Sequence, residues 1–117
     1  MGEQTTTIDL RVELLKSSVL QAPVVWKGGY PYFVHPLSDG VPRQSSELLA
    51  AARDLISENV DWDSIDIILG IEAMGIPLAA ALCMSSGKPL VIGRKRQYGL
   101  PGEVAIDRST GYSRGEI

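Results

Sequence analysis

The sequence predicts an α/β domain built on a mostly parallel sheet with flanking helices. Two short apolar runs, SIDIILGI (64–71) and KPLVIGRKR (88–96), are typical of buried parallel strands. Between them, GIPLAAALCMSSG (75–87) has the length of a helix, with Pro77 suited to its first turn and Gly87 to its C-terminal cap. Strand, helix and strand in this order predict a βαβ unit, with a strand at about 65–71, a helix at about 76–86 and a strand at about 89–95.

A helix and a hairpin are predicted before this unit. Apolar residues recur at helical spacing at Leu10, Leu14, Leu15 and Val19. VVWKGGYPYFVHP (24–36) is broken by two glycines and predicts a short hairpin, and SDGVP (38–42) predicts a turn.

A second helix is predicted over SSELLAAARDLISEN (45–59), which carries an apolar stripe and begins with two serines that suit an N-cap. The tail EVAIDRSTGYSRGEI (103–117) alternates only weakly and is expected to be a long loop that enters another strand. We therefore expect one domain, with an N-terminal helix and hairpin over about 1–45 and the first part of the α/β core over about 46–117.

The composition is that of a soluble globular protein. The chain has 117 residues, of which 44% are hydrophobic and 21% charged. No run approaches the ~20 apolar residues of a membrane span, and MGEQTTTIDL lacks the basic start and apolar block of a signal peptide, so we predict a cytoplasmic protein that does not bind membranes. The single cysteine, Cys83, excludes an internal disulfide and is expected to be a core residue. His35 is the only histidine, which excludes a histidine metal cluster and favours a hydrogen-bonded loop residue.

Charge is distributed unevenly along the chain. Residues 1–87 carry a formal charge of −6 and residues 88–117 carry +3, with three adjacent cations at Arg94, Lys95 and Arg96. Because side chains alternate along a strand, Arg94 and Arg96 are expected to share one face. The basic set is short and has no interleaved aromatic residues, so it does not favour nucleic acid.

The loop GIEAMGIP (70–77) lies where the first parallel strand gives way to a helix, which is where open α/β sheets bind ligands. Unpaired N–H groups at the start of a helix suit an anion. A right-handed crossover brings the cations that follow the second strand to the same edge. The sequence therefore predicts a polyanion site, in which Glu72 repels the anion unless it pairs with Arg94 or Lys95 or meets a metal ion through water. A plain turn with solvated cations remains the alternative.

The segments GIEAMGIPLAAAL, PLVIGRKRQYGLPGE and STGYSRGE, in this order, resemble the first half of a type I purine phosphoribosyltransferase. LLKSSVLQAPVV and YFVHPLSDGVP extend the resemblance to the archaeal-type hypoxanthine/guanine enzymes. The resemblance implies a cytoplasmic homodimer that transfers ribose 5-phosphate from phosphoribosyl diphosphate to hypoxanthine or guanine. The products would be IMP or GMP and diphosphate, with Mg²⁺ bound through the diphosphate of the donor and not by a metal site of the protein.

The resemblance also assigns roles to individual residues. The loop that wraps the diphosphate is matched by Glu72, Ala73, Met74 and Gly75. Arg94 and Lys95 match a pair of cations near the diphosphate. Gly111, Tyr112 and Ser113 match a mobile loop that closes over the reacting centre, and the resemblance assigns catalysis to Lys95 and Tyr112. The N-terminal hairpin of the family forms a hood over the base, where Tyr32 and Phe33 either stack on a purine or pack the hairpin.

Three departures from the family pattern limit what is implied. Met74 stands where adenine enzymes often carry Arg, and Gly111 where they often carry Glu. The family's motif for the 5′-phosphate, two acids and a Thr-Gly-Gly loop after an apolar strand, would follow residue 117. We therefore expect a truncated or split gene product that is inactive alone. The alternatives are an adenine phosphoribosyltransferase, a non-catalytic regulator that senses a purine or phosphoribosyl diphosphate, and a scaffold half that folds with a partner.

Overall fold

The computed structural model describes residues 7–109 and 114–117. Helices and strands follow one another as α1 (Leu10–Gln21), β1 (Val24–Lys27), β2 (Tyr30–Phe33), α2 (Pro36–Asp39), α3 (Ser46–Ser57), β3 (Ile68–Ile71), α4 (Ile76–Ser86), β4 (Leu90–Gly93), β5 (Asp107–Ser109) and β6 (Arg114–Glu116). A short 3₁₀ turn, Trp62–Ser64, precedes β3.

The predicted βαβ unit is present, with β3 and β4 paired in parallel and α4 as the crossover. The helix has the predicted bounds, whereas both strands are shorter than predicted. The ladder opens where Ile68 N donates to Pro89 O at 2.9 Å, and it closes where Glu72 N donates to Gly93 O at 2.9 Å. Strand β4 ends at Gly93, so Arg94 lies outside the strand.

Helix α4 packs closely on β3 because the strand carries a glycine at the contact. A β-carbon on Gly70 would lie 2.7 Å from the β-carbon of Ala79, which is itself buried. The opposite face of the two strands is apolar and exposed. Leu69 and Val91 are register partners on that face and are 64% and 47% exposed.

The helical layer supplies most of the buried side chains. Helix α3 lies between α1 and α4, and its inner face contributes three buried apolar residues, Leu48, Ala51 and Ala52. Both long N-terminal helices begin at side-chain caps. Asp9 accepts from Arg11 N at 3.0 Å, and Ser45 accepts from Leu48 N at 3.2 Å.

The predicted N-terminal hairpin is also present. Strands β1 and β2 pair antiparallel, and the turn between them contains Gly28 and Gly29 with φ of 55° and 83°. Two consecutive residues at positive φ match the two-residue hairpin turn that glycine favours. Helix α2 follows and ends at Gly40, which is left-handed with φ of 66°.

The expectation of a single strand at the end of the tail was wrong. The tail forms an antiparallel hairpin of β5 and β6, with Ile106 and Ile117 exchanging backbone hydrogen bonds of 2.9 and 2.8 Å. A β-carbon on Gly115 would lie 3.0 Å from Nη2 of Arg108, so the glycine leaves room for the Arg108 side chain across the pair. The tail showed little alternation of apolar and polar residues, because Asp107, Ser109 and Arg114 in these strands are polar.

The described part of the chain contains no helix that is long and apolar enough to cross a bilayer.

Candidate functional site

The loop of residues 72–75 joins β3 to α4 and is anchored at both of its ends. Glu72 N donates to Gly93 O on β4, and Gly75 N donates to Ile71 O at 3.0 Å. The Glu72–Ala73 peptide bond is cis. A β-carbon on Gly75 would lie 2.8 Å from the carbonyl oxygen of Ile71, so the close return of the loop to β3 depends on glycine.

Glu72 is the centre of the charged contacts at this edge. Its Oε1 lies 3.0 Å from Nη2 of Arg94, and its Oε2 accepts a hydrogen bond of 3.0 Å from the backbone N–H of Lys95. The two cations therefore lie beside the loop, as the βαβ topology predicted. The pairing with Arg94 also offsets the negative charge that would otherwise repel an anion.

Two cationic groups here retain donors that the described residues do not use. The Nε of Arg94 is buried and has no hydrogen-bond partner among residues 7–109 and 114–117. The ammonium of Lys95 is exposed and makes no ion pair or hydrogen bond within the same residues. A buried donor without a partner costs free energy, about 1–3 kcal/mol, that an acceptor from a ligand would recover.

Tyr98 lies beside the same cations and was not among the site residues predicted from the sequence. The guanidinium carbon of Arg96 lies 4.8 Å from the centre of the Tyr98 ring. Hydrogen bonding to Arg96, and less strongly to Arg94, lowers the pKa of Tyr98 below its ordinary value. Arg94 and Arg96 thus both reach this side chain, but both lie beyond the end of β4, so the predicted alternation along a strand does not apply to them. The R-x-R-x-Y spacing is the signal that would have identified it.

The chain after the cations is held in a tight turn by one carboxylate. Tyr98 N and Leu100 N donate to Glu103 at 3.1 Å, and Gly99 and Gly102 adopt φ of 73° and 82°. The Gly-Leu-Pro-Gly turn is thereby fixed relative to Tyr98.

The N-terminal hairpin reaches the loop through Tyr32. The Tyr32 hydroxyl lies 2.8 Å from Oδ1 of Asp39 and 2.7 Å from the sulfur of Met74. Nζ of Lys27 lies 4.3 Å from the centre of the Tyr32 ring. Phe33 is 48% exposed, and its ring centre lies 5.9 Å from that of His35. Base binding by Tyr32 and Phe33 stays a prediction.

His35 is a buried structural residue, 5% exposed. Its Nδ1 accepts from Leu37 N at 3.2 Å and so caps α2, and its Nε2 lies 2.8 Å from Oγ of Ser18 on α1. The Ser18 hydroxyl donates to Leu15 O, so the Nε2 proton is directed at the Ser18 oxygen. The predicted role as a hydrogen-bonded residue is confirmed. Cys83 is only partly buried.

The loop predicted at Gly111, Tyr112 and Ser113 lies outside the described residues. Within the described part of the chain, no three or more His, Cys, Asp or Glu side chains are grouped so that they could hold a metal ion.

The chain is similar to curated proteins named hypoxanthine/guanine phosphoribosyltransferase. It is 55% identical over 106 residues to the protein of Methanohalophilus mahii, covering 91% of this chain and 55% of the relative. It is 47% identical to that of Aciduliprofundum boonei and 50% identical to that of Methanosarcina mazei, again over 91% of this chain and over 57% and 56% of those relatives. The chain thus spans about half the length of the curated relatives it matches. No family model matches.

Solved structures with a similar fold are adenine phosphoribosyltransferases. The enzyme of Saccharomyces cerevisiae, in complex with adenine and an imino-altritol bisphosphate, matches with a TM-score of 0.65 at 18% identity over 90% of this chain and 61% of its own. The enzyme of Rhodothermus marinus matches with a TM-score of 0.64 at 22% identity, over 92% of this chain and 58% of its own. The predicted fold class, a type I phosphoribosyltransferase α/β fold of which only part is present, is confirmed.

Proposed function

We propose that the complete protein transfers ribose 5-phosphate from phosphoribosyl diphosphate to hypoxanthine or guanine, because this chain is 47–55% identical over 91% of its length to curated proteins named hypoxanthine/guanine phosphoribosyltransferase. The products are IMP or GMP and diphosphate, and the role is purine salvage. The observation that carries the proposal is the joining of the loop at 72–75 to Arg94 and Lys95 through Glu72.

The loop and the two cations bind the diphosphate of the donor. When the bond from the ribose C1′ to the diphosphate breaks, negative charge builds on the leaving group. Cations that are already in place stabilise that charge more than they stabilise the bound donor. The unpartnered Nε of Arg94 and the exposed ammonium of Lys95 supply donors for this purpose, and Glu72 holds Arg94 in position.

Mg²⁺ fits this site as a part of the donor complex. The described residues offer no cluster of metal ligands, and both Glu72 oxygens are engaged by Arg94 and by the Lys95 N–H. The oxygens of the donor diphosphate would therefore hold the ion, which when bound neutralises part of the charge of the leaving group. The chain contributes the cations and the backbone that receive the diphosphate.

Loop closure and assembly complete the proposal. The family resemblance assigns to Gly111, Tyr112 and Ser113 the closing over the reacting centre, with Tyr112 as a catalytic residue, which would exclude water that hydrolyses the donor. Tyr32 or Phe33 contacts the purine. The family resemblance supports a cytoplasmic homodimer.

An assay of the complete protein tests the reaction. We expect IMP or GMP from phosphoribosyl diphosphate, Mg²⁺ and hypoxanthine or guanine, with much slower turnover of adenine. Turnover of adenine alone would instead establish an adenine phosphoribosyltransferase, the second candidate that the sequence resemblance leaves open. Tight binding of the donor or a purine without turnover would establish a regulator.

A further inference from the structure

The contact between Tyr32 and Met74 joins two parts of the chain that are 42 positions apart in sequence. Tyr32 lies on β2 of the N-terminal hairpin, and Met74 lies in the loop between β3 and α4. The hydroxyl oxygen is 2.7 Å from the sulfur, which places the two side chains in direct contact. A movement of the hairpin therefore changes the surroundings of the loop.

The hairpin side of this contact is fixed by Asp39. Its carboxylate accepts from the Tyr32 hydroxyl at 2.8 Å and from the backbone N–H of His35 at 2.9 Å. Burial works to raise the pKa of Asp39, but the hydrogen bonds from His35 and Tyr32 lower it below its ordinary value. The carboxylate therefore stays ionised near neutral pH and orients the hydroxyl.

The loop side is fixed by the β-strands. Glu72, two residues before Met74, donates its N–H to β4 and binds Arg94, and Gly75, the residue after it, donates its N–H to β3. Met74 is thus the residue of this anchored loop whose side chain extends to the hairpin. Its sulfur is a soft group that packs against a hydroxyl or an aromatic edge.

We infer that the Tyr32 hydroxyl is a positioning group for the loop at 72–75, so that the hairpin and the donor-binding loop act as one unit. The inference rests on the proposed function, in which that loop binds the donor diphosphate. It assigns Tyr32 to the donor side of the reaction through its hydroxyl, whereas stacking on a purine would use the ring. Loss of the hydroxyl weakens donor binding and leaves purine binding unchanged.

Steady-state kinetics of the complete protein separates the hydroxyl from the ring. We expect Tyr32→Phe to raise the KM for phosphoribosyl diphosphate about fivefold, the effect of losing one hydrogen-bonding group, and to leave the KM for hypoxanthine within about twofold. Unchanged donor KM in Tyr32→Phe, with a raised hypoxanthine KM in Tyr32→Leu, would overturn the inference in favour of stacking. Trp26→Phe, which removes a polar N–H from an aromatic side chain on β1 that is 70% exposed, is the control and should behave as wild type.

A double-mutant cycle tests whether the effect passes through Met74. Met74→Leu keeps the apolar volume and removes the sulfur, so Tyr32→Phe/Met74→Leu should raise the donor KM no more than the larger single effect. If the donor KM of the double variant instead rises by the product of the two single effects, the two residues act separately and the inference is refuted. Met84→Leu makes the same replacement at a site on α4 that is 88% exposed, and it should change nothing.

Hydrogen exchange gives a readout that needs no turnover. In the complete protein without ligands, we expect faster amide exchange over residues 72–76 in Tyr32→Phe and unchanged exchange over β3. Equal exchange in both proteins would contradict the positioning role even if the enzyme is active. Faster exchange in a protein without transferase activity would retain the positioning role and reject the proposed function.

Discussion

Glu72 shows at the residue scale how a carboxylate can be accommodated in the proposed anion site. It occupies the position where an acid should weaken phosphate binding, yet it holds the Arg94 guanidinium and the Lys95 backbone. Its net effect is therefore to orient a cation. The pair is partly exposed, so its worth lies in geometry more than in Coulomb energy.

Removing the cations is expected to weaken donor binding. In the complete protein, Arg94→Ala and Lys95→Ala should each raise the donor KM and lower kcat, by about tenfold in kcat/KM, because each removes a charge-assisted contact to the diphosphate. Arg94→Ala should be the more damaging, since it also leaves Glu72 unpaired beside the anion. Arg94→Ala/Glu72→Gln should then recover part of the lost activity.

Steady-state kinetics with varied donor checks this, with Lys16→Ala on the exposed side of α1 as control. If both single variants keep wild-type kinetics, Arg94 and Lys95 are ordinary surface residues. If the glutamine gives no recovery, the unpaired carboxylate of Glu72 does not repel the donor.

The sequence predicted much of this edge, because a parallel βαβ unit leaves little freedom in where its loop and strand ends meet. Glu72, Gly75, Arg94 and Lys95 all lie where that rule places them. Tyr98 and the Tyr32–Met74 contact depend on turns and on packing between separate elements. No local periodicity reports such contacts, so they could be found only in the structure.

At the scale of elements, the N-terminal helix is tied to its neighbours by a buried histidine, His35, and a partly exposed arginine, Arg11. His35 caps α2 through Nδ1 and contacts Ser18 on α1 through Nε2. Arg11 on α1 binds Asp9 at 2.8 Å and also Glu58, at the end of α3, at 2.9 Å. The two contacts differ in burial, and they should therefore differ in their effect on stability.

Replacing His35 is expected to destabilise the complete protein by about 1–3 kcal/mol, because His35→Ala removes a helix cap and leaves a cavity. His35→Asn should recover the capping part, since Asn caps helices well but is too short to reach Ser18. Urea unfolding followed by circular dichroism measures both. If His35→Ala and His35→Asn lose the same free energy of unfolding, the cap of α2 contributes nothing to stability.

The Arg11 cluster is expected to make stability depend on acid pH. Hydrogen bonding to Arg11 lowers the pKa of Glu58 and of Asp9 below their ordinary values of 4.5 and 3.8. A lowered pKa contributes stability that is present above the ordinary value and is lost as pH falls through the folded value. Arg11→Gln should thus lose less stability than wild type between pH 6 and about pH 3.

Urea midpoints at both pH values, at low and at about 1 M salt, measure the difference. The difference in pH dependence between the wild-type and the Arg11→Gln protein should be small. It should decrease as the salt concentration rises, because the carboxylates are largely accessible to solvent. A wild-type and an Arg11→Gln protein with the same pH dependence would show that the cluster contributes nothing to folding.

At the scale of the whole molecule, the described residues are less compact than a domain of this length. The radius of gyration is 17.5 Å, whereas a compact domain of 117 residues has about 13 Å. The buried apolar residues of the described part lie in helices α3 and α4, and one face of the β3–β4 sheet is exposed. The sequence pattern predicted that β3 and β4 are covered on both faces of the sheet. In the described structure only the face that packs against α4 is covered.

The isolated 117-residue chain is therefore expected to associate with itself and to lack transferase activity. Leu69 and Val91 form an apolar strip on the open sheet face, and β3 and β4 each have an outer edge with unpaired backbone groups in the described structure. Such a surface promotes edge-to-edge and face-to-face contacts between copies. Light scattering after size exclusion should show oligomers, and Leu69→Lys should reduce them, whereas Lys16→Glu on α1 should not.

The same chain, assayed with phosphoribosyl diphosphate, Mg²⁺ and hypoxanthine, should form no IMP, and we expect the complete protein to form it. The reason is that the proposed diphosphate site lies at the end of a sheet of only two strands, which offers little surface to the rest of the donor. Adding the remaining part of the enzyme, in cis or in trans, should cover the open face, reduce association and restore turnover together. A monomeric 117-residue chain that turns over substrate would contradict both parts of this prediction, because it would mean that the open face needs no cover.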